Sequence, residues 1–202
     1  LHSFPTRRSS DLNHQLIAKS KMPVSHPWFH KDAPPVFLAV GRLSPQKDFL
    51  TLIQGFARLR KKMIARLVIL GEGESRGELE ATINRLGIAE DVSMPGFVEN
   101  PYAYMSKANA LVLSSRWEGL PTVLIEAMAC GCQVIATDCP SGPAEILSAG
   151  QYGILVPVGD SAALSLAMLQ VLRSPLTQDK LMERARYFST ERAVSEYLAI
   201  LN

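Results

Sequence analysis

The stretch ALVLSSRWEGLPTVLIEAMACGCQVIA, residues 110–136, decides the fold because two apolar runs flank one short amphipathic segment. Pro121 favours the first turn of a helix and Gly131 the position just past its end, so we predict a helix between them. The runs at 110–114 and 133–136 have the length and apolar character of buried strands. A strand, a helix and a second strand in this order form the repeating unit of a parallel sheet.

The same alternation of apolar and amphipathic segments continues on both sides of this stretch. Further strands are predicted at 36–40, 66–70, 92–94 and 153–156, and further helices at 48–62, 162–172, 177–188 and 191–201. The pattern predicts an α/β fold with a doubly wound, Rossmann-like parallel sheet of six strands. Because parallel strands end at one edge of a sheet, the six loops that follow them should meet around one ligand cleft.

Composition and charge narrow the classes of function. The chain has 202 residues, 47% of them hydrophobic, and a net charge of +2, which indicates a globular domain and no nucleic acid partner. No apolar run approaches the roughly 18 residues of a membrane span. Three cysteines, at 130, 132 and 139, lack metal-ligand spacing and are expected to be buried in a reducing compartment. The absence of a D-x-D triplet predicts that no metal and no cofactor is bound.

Charged residues cluster in the loops that should meet at this edge. The backbone N–H groups at the start of the Pro121 helix suit a phosphate, and Glu118 and Glu126 lie just before and inside that helix. Arg42 and Lys47 follow the first strand, where a guanidinium fork and an ammonium charge could bind a phosphate without a metal. Two carboxylates beside a phosphate site indicate recognition of sugar hydroxyls.

These residues carry a resemblance to a known family. Glu118 and Glu126 match the E-x7-E signature of the retaining family-4 glycosyltransferases, which have the two-domain GT-B fold. The resemblance extends over roughly residues 22–200 through AVGRLSPQKDFLTLIQGFARL, LVILGEGESRGELE, PGFVENPYAYM, SSRWEGLP and YGILVPVGD. It matches only the C-terminal, donor-binding domain. It implies transfer of a sugar, with retention, from a nucleotide diphosphate sugar to a glycan or lipid-linked acceptor.

The resemblance also implies roles for individual residues. Glu118 would contact the donor sugar and Glu126 the ribose hydroxyls. The catalytic set is Glu118, Arg42 and Lys47, and the donor-binding set is Gly41, Arg42, Lys47, Phe97, Val98, Glu118, Gly119, Leu120, Pro121, Thr122 and Glu126. Each position also has an ordinary structural alternative: Arg42 and Lys47 as a solvated pair, Glu118 as a helix-start acid, Glu126 as an exposed residue or half of an ion pair, and Phe97 and Val98 as core residues.

The chain is expected to divide into three parts. Residues 1–12, LHSFPTRRSSDL, resemble translated sequencing adapter and are assigned to a non-native arm, with a natural disordered arm as the alternative. Residues 13–34 are assigned to a linker that packs Trp28 and Phe29 against the domain, and 35–202 to the donor-binding domain. An N-terminal acceptor domain would then be missing, and the isolated fragment would be inactive.

Partners and rival functions complete the expectations. A cytoplasmic location, at the inner membrane face, is implied by the family. A basic cluster near the end of the 48–62 helix either is solvated beside the negative helix end or contacts anionic lipid: Arg58, Arg60, Lys61, Lys62 and Arg66. The rivals are a nucleotide-binding module without chemistry and an NAD-dependent oxidoreductase. The glycines at 71, 73 and 77 have the spacing G-x-G-x-x-x-G, which does not fit a dinucleotide fingerprint.

Overall fold

The computed structural model describes residues 10–189 and contains one six-stranded parallel sheet in that part of the chain. The strands are β1 (Val36–Val40), β2 (Arg66–Leu70), β3 (Val92–Gly96), β4 (Ala110–Leu113), β5 (Gln133–Thr137) and β6 (Ile154–Val156). Their order across the sheet is β3-β2-β1-β4-β5-β6. The predicted Rossmann-like sheet is therefore confirmed. Both ends of each strand lie within about two residues of the predicted positions.

The strand order creates a switch point in the middle of the sheet. β1 pairs with β2 on one side, from Val36 opposite Arg66 to Val40 opposite Leu70, and with β4 on the other. Because the chain winds outward in both directions from β1, the loops after β1 and β4 lie next to each other. Open parallel sheets bind ligands at this position.

Helices cover both faces of the sheet. They are α1 (Ser10–Ser20), α2 (Phe49–Arg60), α3 (Arg76–Arg85), α4 (Pro101–Met105), α5 (Thr122–Ala129), α6 (Pro143–Ile146), α7 (Ser161–Arg173) and α8 (Gln178–Arg186). On β1, Phe37 and Ala39 face the core formed with α2, α3 and α7, whereas Val36 and Leu38 face the core formed with α4, α5 and α8. The helix predicted at 191–201 lies outside the described residues.

The segment before the sheet is attached to the domain. Helix α1 begins at Ser10, within the predicted arm, and buries Leu16. Ser106 Oγ donates to the Ser20 carbonyl at 2.6 Å. Trp28 and Phe29 pack against the core on the α5 face, as predicted for the linker. The division of the chain at residues 12 and 34 stays a prediction.

Glycine brings the first two loops of the sheet together. Gly71 has φ 144°, and a Cβ atom there would lie 1.9 Å from the Gly41 carbonyl oxygen. A Cβ at Gly73 would lie 2.2 Å from the Leu43 carbonyl oxygen. Both glycines therefore have a packing role, because they let the two backbones approach more closely than any side chain would allow. No helix in residues 10–189 is long and apolar enough to cross a membrane.

Candidate functional site

The loops after β1 and β4 are joined into one surface at the switch point. Four hydrogen bonds link them: Arg116 N to Gln46 O at 2.8 Å, Gln46 Nε2 to Trp117 O at 3.0 Å, Ser114 Oγ to Lys47 O at 2.7 Å, and Arg116 Nε to Asp48 Oδ2 at 3.2 Å. Two of the four use main-chain groups of Gln46 and Lys47 as acceptors. The β1 loop is therefore held in place by residues that follow β4.

A lysine and a glutamate meet at the centre of this surface. Lys47 Nζ donates to Glu118 Oε1 at 2.5 Å, although 71 positions separate the two residues. The side chains are only 18% and 8% exposed. Ser115 Oγ donates to the same Glu118 oxygen at 2.6 Å. Gly41 leaves room for the lysine stem, because a Cβ there would lie 3.2 Å from Lys47 Cε. The structure therefore brings together two of the three residues assigned to catalysis.

Arg42 lies on the same edge of the sheet but has a different partner. Its side chain is 74% exposed and pairs with Glu74 Oε2 at 3.2 Å. Exposed ion pairs of this kind contribute little to stability, so the guanidinium can exchange Glu74 for a phosphate at little cost. None of the described contacts of Arg42 is to Lys47 or Glu118.

The two helices that start at this edge differ in how they begin. Asp48 occupies the start of α2, where its buried carboxylate accepts hydrogen bonds from Thr51 N at 3.3 Å and Thr51 Oγ1 at 2.9 Å. Helix α5 follows Pro121, and no side chain caps it. A carboxylate already neutralises the positive end of α2, whereas an anionic ligand could fill this role at α5.

Glu126 has no protein partner in the described part of the chain. It lies half-buried in α5, and burial raises the pKa of its carboxyl above the ordinary value. Burial, with a smaller effect of Glu126, also raises the pKa of Cys130 to about 12. A desolvated carboxylate without donors is ready to accept hydrogen bonds from ligand hydroxyls.

The remaining residues assigned to donor binding are mostly exposed. Gly119, Leu120 and Thr122 are exposed, and Phe97 is 74% exposed. Val98 is half-buried and packs against the core on the α5 face, in agreement with its ordinary structural alternative. The role of each residue in donor binding stays a prediction.

Several residues of the site were missed by sequence reasoning. They are Gln46, Asp48, Ser114, Ser115, Trp117 and Thr137. One signal could have found the two serines, because small polar residues that directly follow a buried strand often provide ligand or loop contacts. No group of three or more His, Cys, Asp or Glu side chains that could hold a metal occurs in the described residues.

The basic cluster at the far end of α2 is partly committed to structure. Arg60 Nε pairs with Asp91 Oδ2 at 2.7 Å, and Arg66 pairs with the other oxygen of the same carboxylate. Arg58, Lys61 and Lys62 remain exposed. Within this cluster, these three residues are the ones without a described ion pair.

Comparisons with known proteins identify a family that matches most of the chain. Residues 24–188 match the family described as glycosyl transferases group 1. The chain is 40% identical over 156 residues to the N-acetylgalactosamine-N,N'-diacetylbacillosaminyl-diphospho-undecaprenol 4-alpha-N-acetylgalactosaminyltransferase of Campylobacter jejuni, covering 77% of this chain and 41% of that protein. It is 36% identical over 135 residues to the lipopolysaccharide 1,6-galactosyltransferase of Salmonella typhimurium, covering 64% and 37%. The chain thus spans less than half the length of these relatives.

Solved structures share the fold. The lipopolysaccharide outer core galactosyltransferase WaaB, in its apo form, superposes with a TM-score of 0.74 at 27% identity, covering 94% of this chain and 58% of that one. Anabaena HepE in complex with UDP superposes with a TM-score of 0.70 at 23% identity, covering 94% and 52%.

Proposed function

The chain belongs to the family of group 1 glycosyl transferases, and from this premise we propose that it is the donor-binding half of a retaining GT-B glycosyltransferase. The donor would be a nucleotide diphosphate sugar and the acceptor a glycan or its lipid-linked precursor. The proposal rests on one observation above all, the contact of Lys47 Nζ with Glu118 Oε1 at the switch point of the sheet. An ammonium and a carboxylate in contact can serve a phosphate and an adjoining sugar at the same time.

The diphosphate is assigned to Lys47, Arg42 and the start of α5. An ammonium group has three N–H donors, and Lys47 uses one of them on Glu118. Two donors therefore remain for phosphate oxygens. Negative charge grows on the diphosphate as the bond to the sugar breaks, and fixed positive groups stabilise that charge most strongly at the transition state. This arrangement supplies the stabilisation with residues of the chain alone.

The two glutamates are assigned to the two sugars of the donor. Glu118 lies beside the phosphate-binding ammonium and would accept hydrogen bonds from the transferred sugar near its reacting carbon. Glu126 would accept both ribose hydroxyls, because a carboxylate can take two neighbouring O–H donors. Main-chain groups at 119–122 would approach the phosphates, and Phe97 and Val98 would line the base. Retention would follow from attack on the face that the departing diphosphate shields.

Titration calorimetry tests the donor site directly. UDP is the first probe, because HepE was crystallised with it. We expect Lys47→Ala to weaken UDP binding at least about tenfold, since hydrogen bonds to charged groups contribute about 1.5–3 kcal/mol. Lys62→Ala removes an exposed lysine at the opposite end of α2 and is the matched control. Equal affinity of the two variants would disprove the assignment of Lys47, and an absence of nucleotide binding by the parent chain would disprove the function.

The residue at the start of helix α2 argues against an oxidoreductase function. A Rossmann dinucleotide places its pyrophosphate at the helix after the first strand. In this chain Asp48 already occupies that position with a buried carboxylate. Titration with NAD beside UDP separates the two hypotheses. A different experiment tests the hypothesis of a binding module without chemistry. Sugar transfer by this chain, once it is joined to an N-terminal acceptor domain, would exclude that hypothesis.

The acceptor side is proposed from the relatives and from surface charge. The Campylobacter relative acts, by its name, on an undecaprenol-linked substrate. We extend this to a cytoplasmic protein that works at the inner membrane face, with Arg58, Lys61 and Lys62 in contact with anionic lipid. Flotation with anionic vesicles should be salt-sensitive and should be lost when these three residues are replaced by glutamine. Equal flotation of the parent chain with neutral and anionic vesicles would rule out this contact.

A further inference from the structure

Glu118 is held by a network that leaves its two oxygens in different situations. Oε1 accepts hydrogen bonds from Lys47 Nζ at 2.5 Å and from Ser115 Oγ at 2.6 Å. None of the hydrogen bonds described for residues 10–189 involves Oε2. A carboxylate oxygen has two acceptor sites in the plane of the group, so these two donors fill Oε1. Only Oε2 remains open to a further donor.

The main chain of Ser115 is itself held from the neighbouring strand. Thr137, the last residue of β5, donates from Oγ1 to the Ser115 carbonyl at 2.6 Å. Ser115 and Thr137 are both fully buried, with 0% of their surface exposed. Ser114 holds the main chain of Lys47, the other donor to Glu118, because Ser114 Oγ donates to the Lys47 carbonyl. Buried hydroxyls with satisfied partners are rigid, and the position of Glu118 follows from them.

We infer that Ser115 is a positioning residue, which turns the carboxylate of Glu118 so that Oε2 faces the hydroxyls of the transferred sugar. This inference rests on the proposed function, because it needs a donor sugar beside Glu118. Lys47 alone would not fix the rotation of the carboxylate, since an ammonium is a point charge on a flexible stem. A second donor on the same oxygen selects one rotation. Ser115 would therefore affect recognition of the sugar and not of the nucleotide.

A comparison of two ligands tests this inference on the 202-residue chain. UDP carries no transferred sugar, whereas UDP-N-acetylgalactosamine carries the sugar that the Campylobacter relative transfers by its name. We expect Ser115→Ala to weaken UDP-N-acetylgalactosamine binding roughly two- to tenfold, the effect of one lost hydrogen bond. UDP binding should stay within about a factor of two of the parent. Ser115→Cys, which keeps the size and a weak donor, should fall between alanine and serine.

A matched buried serine provides the control. Ser165 in α7 is buried, and its hydroxyl has no hydrogen-bond partner in the described residues. Ser165→Ala should leave both affinities unchanged. A parallel loss of both ligands in Ser115→Ala, or unchanged affinity for both, would overturn the inference while the donor site stands. If the parent chain binds no nucleotide, the proposed function fails and the inference falls with it. Thermal unfolding of each variant shows whether its binding site is still folded.

Discussion

Replacing Glu126 by glutamine should stabilise the ligand-free protein and weaken its binding to nucleotide. Burial raises the pKa of Glu126, and no described group donates a hydrogen bond to its carboxylate. The folded protein therefore penalises the charged form. Glutamine keeps the shape of the side chain and removes the charge, so the penalty disappears. For a residue that served packing alone, this substitution of equal shape would leave stability unchanged.

The size of the stabilisation follows from the cost of an unpaired polar group. Leaving a polar group buried and unpaired costs about 1–3 kcal/mol, and more for a charged one. Glutamine is still polar and unpaired, and Glu126 keeps part of its surface in contact with solvent, so the substitution recovers only the part of the cost that is due to the charge. We therefore expect a gain of about 1 kcal/mol, which raises the unfolding temperature of a domain of this size by roughly 2–4 °C. Calorimetry or a fluorescence melt at pH 7 resolves a change of this size.

The pH dependence has a definite sign. The raised pKa means that the folded state binds a proton more tightly than the unfolded state does. Below the ordinary value of 4.5 both states are protonated and the penalty is absent. Stability falls as pH rises from that value through the raised pKa, and it stays lowered above it. The advantage of Glu126→Gln should thus grow as the pH rises through the raised pKa and should vanish towards pH 4.5.

Nucleotide binding should change in the opposite direction. Hydrogen bonds to a charged acceptor contribute about 1.5–3 kcal/mol and those to a neutral one about 0.5–1.5 kcal/mol. Glutamine should therefore weaken UDP binding roughly five- to thirtyfold. Glu90→Gln, an exposed glutamate on a short 3-10 turn, is the control for loss of one negative charge. A Glu126→Gln protein that is less stable and binds UDP as tightly as its parent would refute the reasoning.

Three further predictions concern stability and reactivity away from the ligand. Asp91→Asn should lower stability by about 2 kcal/mol, or roughly 4–8 °C, because two half-buried arginines lose their partner, and UDP affinity should not change. Gly71→Ala should cost about 3 kcal/mol or more in urea unfolding, because its Cβ would meet the Gly41 carbonyl, whereas Gly77→Ala in α3 meets nothing and should gain about 0.5–1 kcal/mol. Cys130, with a pKa of about 12, should resist iodoacetamide at pH 8 until the protein unfolds, as mass spectrometry of the alkylated chain would show.

Much of the fold could be predicted from local pattern. The β4–α5–β5 unit follows from apolar runs and from the positions of Pro121 and Gly131, and the structure has α5 at Thr122–Ala129. The meeting of the loops at one edge followed from the parallel sheet alone. These features depend on the spacing of apolar residues and on the direction of the chain, and both can be recognised in short stretches of sequence.

The pairing of side chains could not be predicted in the same way. Lys47 contacts Glu118 only because β1 lies beside β4, and strand order depends on the packing of the whole chain. The sequence offered Arg42 and Lys47 as equal partners for one phosphate, yet Arg42 is paired with Glu74. The position of Ser115 just after a strand marks it only as a small polar loop residue, and its contact with Glu118 Oε1 could not be predicted from the sequence.

Three carboxylates in this chain show how partners distinguish a structural acid from a functional one. Asp91 has each of its oxygens paired with an arginine, so its charge is satisfied within the fold. In Glu118, Oε1 accepts hydrogen bonds from Lys47 and Ser115, whereas Oε2 accepts none of the described hydrogen bonds. Glu126 has no described donor, and burial raises its pKa. An unsatisfied buried charge lowers stability, so its retention is best explained by a ligand that supplies the missing donors. Asp91 has all its partners, Glu118 has partners on one oxygen and Glu126 has none described. The two glutamates without full partners are therefore the candidates for ligand binding, in agreement with the cleft that the strand order predicts.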